Sequence, residues 1–179
     1  MATLFALVYP DQTTAEQTLE TAKGLQDAGF MRILEQAVIV KTADGKIERK
    51  DESHPVRGGV IGGVILGGLT GLIFAIPVFG LAAGAALGGW IGKMRKSGAT
   101  TDFDKFRKEV GEELQPHGSA LLLLASTEGP ERVRFELAKH GGKLFSTDLS
   151  DEQIAELQKE LDKTAPSPTE TQATESTDA

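Results

Sequence analysis

Short apolar runs alternate with amphipathic stretches along most of the chain, and this order predicts an α+β fold. Four runs read as strands because they are bounded by glycine, proline, serine or aspartate. They are 3–9, 33–40, 119–126 and 143–150. The stretches between and after them carry apolar residues at spacings of three and four, which predicts helices. These stretches are 13–28, 101–114, 130–140 and 150–163.

Polar residues at the borders of these helices predict how the helices begin and end. Thr13 and Glu16 have the spacing of a capping box, and Ser150 and Gln153 repeat it. Gly29 follows the first helix, at the position where a left-handed residue commonly ends a helix. The pattern therefore predicts a helix directly after the first strand and another directly after the last.

The two ends of the chain repeat one order, strand, helix, strand. Two such units predict a ferredoxin-like, four-stranded antiparallel sheet with its helices on one face. An unrelated α+β sandwich with the same order of elements is the alternative. The polar stretch KIERKDE predicts a short, marginal return strand after the Asp44–Gly45 turn.

The predicted domains follow from a long insertion between the two halves. They are 1–54 for the first half, 55–97 for the insertion, 98–163 for the second half with a C-terminal helix, and 164–179 for an acidic tail. The tail lacks large apolar residues, which predicts disorder.

Glycine recurs every four residues in two runs of the insertion. Residues four apart share one face of a helix, so each run predicts a helix with a stripe free of side chains. Such stripes let helix backbones approach closely, as they do in lipid, and we interpret them as a glycine zipper. The stripe residues are Gly59, Gly63, Gly67 and Gly71 in the first run, and Gly80, Gly84, Gly88 and Gly92 in the second.

The length of the uncharged part of the insertion predicts a transmembrane helical hairpin. From Gly58 to Gly92, 35 residues carry no charge. One helix of that length would measure about 52 Å, against a hydrocarbon core of about 30 Å. Pro77 lies near the middle and removes a helical hydrogen bond, so we expect the turn at 75–79. Each arm then has roughly 17 to 20 residues.

Charged and aromatic residues flank the hairpin and predict its orientation. Arg57 precedes it, and Lys93, Arg95 and Lys96 follow it, so both ends are basic. The positive-inside rule places basic ends in the cytoplasm, and Trp90 suits the membrane interface. The predicted location is the inner, cytoplasmic membrane, with the N- and C-terminal parts facing the cytoplasm.

Alternatives to a spanning hairpin stay open because the predicted turn has no polar residue. The hairpin could be re-entrant, or it could be buried in a soluble oligomer. A phosphate-binding loop is excluded by spacing, since neither G-x-G-x-x-G nor G-x-x-x-x-G-K-[ST] occurs.

Catalytic and metal-binding chemistry has little support in the sequence. The chain has no cysteine, and its histidines, His54, His117 and His140, lie far apart beside turn signals. Carboxylate pairs such as Asp102 and Asp104 lie on predicted helices, where runs of charge are usually solvated. A net charge of −7 argues against nucleic-acid binding. We expect no enzyme activity, no cofactor and no metal.

Two phenylalanines on the helix after the insertion allow two interpretations. Phe103 and Phe106 lie beside a basic group that includes Lys105, so this helix could lie on a membrane surface. The same spacing is more often that of ordinary core packing, which we favour.

Several of these features together resemble a bacterial domain-of-unknown-function family of predicted membrane proteins. The matching residues are the strand TLFALVY, the period-four glycines, the central Pro77 and the basic GKMRKSG. The resemblance covers about residues 3–150. It implies a small α/β domain with an inserted glycine-rich hairpin, a membrane location and no established activity.

The resulting functional hypothesis is a membrane-associated structural or regulatory protein. Its hairpin would form homo-oligomers in the lipid bilayer, and its cytoplasmic domain would bind a partner or other copies. A pore is one alternative, although Thr70 is the one polar residue between Gly58 and Gly92. A ligand-sensing membrane protein is another.

Overall fold

The chain forms an α+β domain. The computed structural model describes residues 2–50, Thr70, Ile73, Phe74 and 100–162. The strands are β1 (Ala2–Tyr9), β2 (Arg32–Lys41), β3 (Ile47–Arg49), β4 (Ser119–Ser126) and β5 (Lys143–Leu149). The helices in 2–50 and 100–162 are α1 (Thr14–Asp27), α2 (Thr100–Glu113), α3 (Pro130–Ala138) and α4 (Asp151–Asp162).

The five strands form one antiparallel sheet in the order β3-β2-β4-β1-β5. The two central strands pair over their whole length, with Phe5 of β1 opposite Leu123 of β4. A bulge between Ile33 and Glu35 interrupts the pairing of β2 with β4. The sheet has one strand more than the four expected, because the marginal return strand forms β3 at the edge.

Strand β4 is apolar on both of its faces, which makes it a central strand. Leu121 and Leu123 belong to one cluster of buried residues, and Leu122 and Leu124 belong to the other. Side chains alternate between the faces of a strand, so both faces of this sheet need to be covered.

Helices α1 and α3 cover the first face. Their buried residues alternate with exposed ones at helical spacing, and they pack on the odd-numbered side chains of β1 and β4. The predicted stripe of α1 is confirmed. Its residues Ala15, Leu19, Ala22 and Leu25 are all buried, and Val133 and Leu137 of α3 join them.

Helix α2 covers the second face, so the expectation that the helices lie on one face is wrong. The buried residues of α2, which are Phe103, Phe106 and Val110, pack on the even-numbered side chains of β1 and β4. The preferred interpretation of the two phenylalanines as core residues is therefore confirmed. The physical reason for the second layer is β4, whose leucines would otherwise face water on one side.

The helix ends follow the sequence in part. Ser150 and Gln153 form the predicted capping box: each backbone N–H donates to the other side chain, at 2.7 and 3.2 Å. Gly29 has a φ of 77°, which is the left-handed conformation predicted for the residue that ends α1. The capping box at Thr13 is wrong, because its side chain caps nothing. Asp11 accepts the backbone N–H groups of Thr13 and Thr14 instead, at 2.9 and 2.8 Å.

The predicted insertion and tail lie largely outside the described residues. Of 55–97, the structure describes Thr70, Ile73 and Phe74, and of 164–179 it describes nothing. In the described part of the chain, no helix combines the length and the hydropathy that a membrane crossing requires.

We predict that Asp11→Ala lowers the free energy of unfolding by about 1 kcal/mol at pH 7, because α1 loses its N-terminal acceptor. Hydrogen bonds from the Thr14 hydroxyl and from the backbone hold the pKa of Asp11 well below its usual range. Its carboxylate therefore stabilises the fold above about pH 3.9, and this contribution is lost as the pH falls further.

Urea unfolding at several pH values measures this difference. Asp11→Asn is the matched control, since it keeps one acceptor oxygen and does not titrate. Equal stability of the wild type and the alanine variant at pH 7 would contradict the role of Asp11.

Candidate functional site

The residues predicted from the sequence to pack helices or to meet the membrane lie outside the described residues. This applies to the glycine stripes, to the turn at Pro77 and to the flanking residues Arg57, Trp90, Lys93, Arg95 and Lys96. The stripe glycines in question are Gly59, Gly63, Gly67, Gly71, Gly80, Gly84, Gly88 and Gly92. These predictions stay predictions.

Three residues of the predicted first arm are described, and they lie against the sheet domain. Thr70, Ile73 and Phe74 are helical. Ile73 is 5% exposed and belongs to the buried cluster of the second face, together with Ala37 and Ile39 of β2. Phe74 is half-buried and packs on the same cluster. The insertion therefore contributes to the core of the α+β domain.

A glycine in α2 lies close to this part of the insertion. A Cβ atom at Gly111 would lie 3.3 Å from the backbone oxygen of Ile73. That distance is shorter than an ordinary van der Waals contact, so glycine lets the two backbones approach. Sequence analysis missed Gly111, although a glycine in the interior of an amphipathic helix indicates a close packing partner.

Thr70 is the polar residue among the three described residues of the insertion. It is buried, and its hydroxyl has no hydrogen-bond partner among the described residues. A buried hydroxyl without a partner destabilises the arrangement by roughly 1–3 kcal/mol. The same hydroxyl is the one polar side-chain group that the sequence offers between Gly58 and Gly92.

A buried carboxylate marks one end of the same face of the sheet. Glu35 of β2 is 7% exposed and lies opposite Leu124 of β4. It alternates in register with the buried residues Ala37 and Ile39, and this period of two is a signal that sequence analysis passed over. Burial of a carboxylate is unfavourable unless hydrogen bonds or charges compensate. Glu35 is therefore a polar residue on a mostly apolar face, which also buries Thr147.

Polar contacts on the first face hold the helices to the sheet. The Tyr9 hydroxyl accepts a 2.7 Å hydrogen bond from Thr18, and burial raises the pKa of Tyr9. Thr21 of α1 contacts the ring of His140, just after α3, at 2.6 Å. These contacts join α1 to β1 and to the end of α3, which is a structural role.

The acidic side chains and histidines of the described residues bear on two predictions, that the chain binds no metal and that its helix carboxylates face solvent. Within 2–50 and 100–162, no three histidine, aspartate or glutamate side chains are placed to hold a metal ion. Asp102 and Glu112 are exposed, and Asp104 lies 3.9 Å from Arg107 on its own helix. The interpretation as solvated helix faces is confirmed for Asp102 and Glu112, while Asp104 is partly buried. His54 lies outside the described residues.

The second half of the chain matches a known protein family. A family model described as a protein of unknown function, DUF1269, matches residues 60–162. The match covers the glycine-rich insertion and the elements from α2 to α4, and it begins after the first half of the sheet domain. None of the curated proteins and none of the solved structures matches the chain.

We predict different effects of the same substitution at two helical glycines. At Gly24 in α1, an added Cβ has nothing within 4 Å, so Gly24→Ala should raise the free energy of unfolding by about 0.5–1 kcal/mol. Gly111→Ala should lose this gain, because the methyl group presses on the Ile73 backbone. Chemical denaturation of the full chain measures both, and equal stabilisation by the two alanines would show that Ile73 does not pack there.

Proposed function

We propose that this chain, which belongs to the DUF1269 family through residues 60–162, is a membrane-associated structural or regulatory protein. The family is described as a protein of unknown function, so the proposal rests on the residues of the chain itself. In this proposal segment 55–97 forms a glycine-zipper hairpin that enters the bilayer and forms homo-oligomers. The α+β domain stays beside the membrane and binds a protein partner or other copies.

The observation that carries the proposal is the composition of the segment. It has 35 consecutive uncharged residues between basic flanks, with glycine at every fourth position in two runs. Lipid offers no hydrophobic driving force between helices, and close backbone approach along small residues replaces it. A phosphate loop or an ordinary core helix does not need eight glycines in this register.

The contact of Ile73 with the sheet supports a regulatory form of this proposal. In the proposal, the first arm can pack on either of two surfaces. One is the second face of the sheet, and the other is formed by the glycine stripes of neighbouring hairpins in the bilayer. The Thr70 hydroxyl, which has no hydrogen-bond partner among the described residues, weakens packing of the arm on the sheet, since an unsatisfied buried hydroxyl is unfavourable. Release of the arm would uncover part of the second-face cluster for a partner protein, which would couple membrane entry to recognition.

We propose that the α+β domain has the ferredoxin-like topology. Strands β5, β1, β4 and β2 lie in this order, all antiparallel, and α1 and α3 each connect strands that are separated by one strand of the sheet. This is the order that two interleaved strand–helix–strand units produce. Strand β3 is an addition at the edge.

The remaining parts of the proposal concern location and chemistry. The basic flanks support the cytoplasmic membrane, with both halves of the domain in the cytoplasm. The proposed role requires neither catalysis nor a cofactor, and the negative net charge of −7 makes nucleic acid an unsuitable partner.

Carbonate extraction tests the membrane location directly. We expect the full chain to remain in the pellet after vesicles are washed at alkaline pH, because an inserted hairpin is held by apolar burial rather than by charge. A peripheral protein bound to the same vesicles by charge alone is the control and should appear in the supernatant. Release of the intact chain would overturn the proposal.

We predict that Gly63→Leu combined with Gly84→Leu reduces the size of the assembly in detergent or nanodiscs, because the leucines separate the helix backbones. Gly68→Leu is the matched control, since Gly68 lies outside the period-four register of the stripes and should leave the size unchanged. Native mass spectrometry gives the subunit number. An unchanged number in the double variant would contradict the glycine contact.

A further inference from the structure

The hydroxyl of Thr70 is buried, and it has no hydrogen-bond partner among the described residues. It is also the one side-chain hydroxyl that the chain has between Gly58 and Gly92. Valine has the same shape as threonine and needs no partner, so the position that the arm takes against the sheet domain gives no reason for a threonine here. The hydroxyl therefore points to a second position of the arm, in which it has an acceptor.

Thr70 lies on the same helical face as the residues of the arm that pack on the sheet. Ile73 and Phe74 follow it at spacings of three and four, and both contribute to the buried cluster of the second face. On the helix predicted for the first arm, with about 100° per residue, Thr70 also lies within about 20° of Gly59 and of Gly63. The face that packs on the sheet is therefore the face on which the glycine stripe is predicted.

The contact of the arm with α2 resembles a glycine contact between helices. A Cβ atom at Gly111 would lie 3.3 Å from the backbone oxygen of Ile73, so the two backbones approach where a side chain is missing. Small residues that allow this approach are typical of helix packing in lipid. The sheet domain thus offers the arm the kind of surface that a neighbouring hairpin would offer. Because one face of the arm serves both contacts, each contact excludes the other.

A glycine stripe on a neighbouring hairpin would supply the acceptor that Thr70 lacks. A backbone carbonyl oxygen has two lone pairs, and one of them stays free when the carbonyl accepts the N–H group of its own helix. No side chain shields these oxygens along a glycine face. Threonine hydroxyl groups form hydrogen bonds across helix interfaces in lipid, so this donor and these acceptors suit each other.

We infer that the Thr70 hydroxyl determines which surface the first arm packs on. In the bilayer it donates a hydrogen bond to a backbone carbonyl of a neighbouring hairpin, and against the sheet it has no such acceptor. The inference rests on the proposed function, since it requires an assembly in lipid. Thr70 then favours the assembly, whereas the contact of Ile73 with Gly111 favours packing on the sheet domain.

The apolar residues of the arm do not discriminate between the two surfaces in this way. Ile73 and Phe74 pack among apolar side chains on the sheet, and lipid tails are as apolar as leucine. Transfer of an apolar side chain from one to the other changes little. A hydroxyl group differs, because its free energy depends on whether an acceptor is present.

Thr70→Val tests the inference, because valine keeps the shape of threonine and lacks the hydroxyl. The full chain is reconstituted in vesicles, and two quantities are measured. Energy transfer between chains labelled at the N-terminus, followed as lipid is added, gives the dissociation constant of the assembly. The initial rate of cross-linking between Ile73→Cys and Val110→Cys, two positions in the second-face cluster, reports the fraction of arms packed on the sheet.

We expect Thr70→Val to change the two quantities in favour of packing on the sheet. The dissociation constant of the assembly should rise roughly threefold, which corresponds to one hydrogen bond between helices in lipid. The cross-linking rate should also rise, because the packed arm no longer buries a hydroxyl without an acceptor. Misfolding would weaken the assembly but slow the cross-linking, so it cannot imitate this result. Thr70→Ser keeps the hydroxyl and is the control, with both quantities close to those of the wild type.

An unchanged value of either quantity in Thr70→Val, or slower cross-linking, would overturn the inference and leave the proposed function intact. Failure of the proposed function has a different signature, which is seen in the wild type. The wild-type chain would then show no energy transfer at any lipid content, or would leave the vesicles in carbonate, and the inference would fall with the proposal.

Discussion

The apolar character of β4 on both faces is the constraint on which the rest of the structure depends. Leu121 through Leu124 are all buried, and burial of each leucine stabilises the fold by about 1.5–3 kcal/mol. A central strand of this kind cannot leave either face to water. One face is covered by α1 and α3, which connect the strands. The other face needs additional elements, and it recruits α2 and Ile73.

This second layer links the glycine-rich insertion to the domain that carries it. Ile73 lies in the same buried cluster as residues of β1, β2 and β4, and Gly111 allows its backbone to approach α2. The insertion is thus part of the fold at this point and not an independent module. In the proposed function, membrane entry and the covering of the sheet compete for the same short segment, which gives the domain a means to respond to assembly.

The features that depend on short-range sequence patterns were predicted correctly. Strand and helix positions, the stripe of α1, the capping box of Ser150 with Gln153 and the core role of Phe103 followed from periodicity and from side-chain chemistry. Contacts between elements that are distant in the sequence could not be predicted in this way. The second layer depends on the face of the sheet against which α2 packs, and a repeated strand–helix–strand pattern does not predict that face. Asp11 replaced Thr13 as the cap because a turn before the helix brought its carboxylate to the N–H groups.

The most direct measurement of the central claim is a cross-link between the insertion and α2. The chain has no cysteine, so Ile73→Cys with Val110→Cys, which leaves the close approach at Gly111 unchanged, creates a single pair for oxidation or a short bifunctional thiol reagent in intact vesicles. The account predicts a cross-link within one chain for this pair, and none for Ile73→Cys with Gly24→Cys, which places the second thiol on the opposite face of the sheet. Equal yields from the two pairs would contradict it.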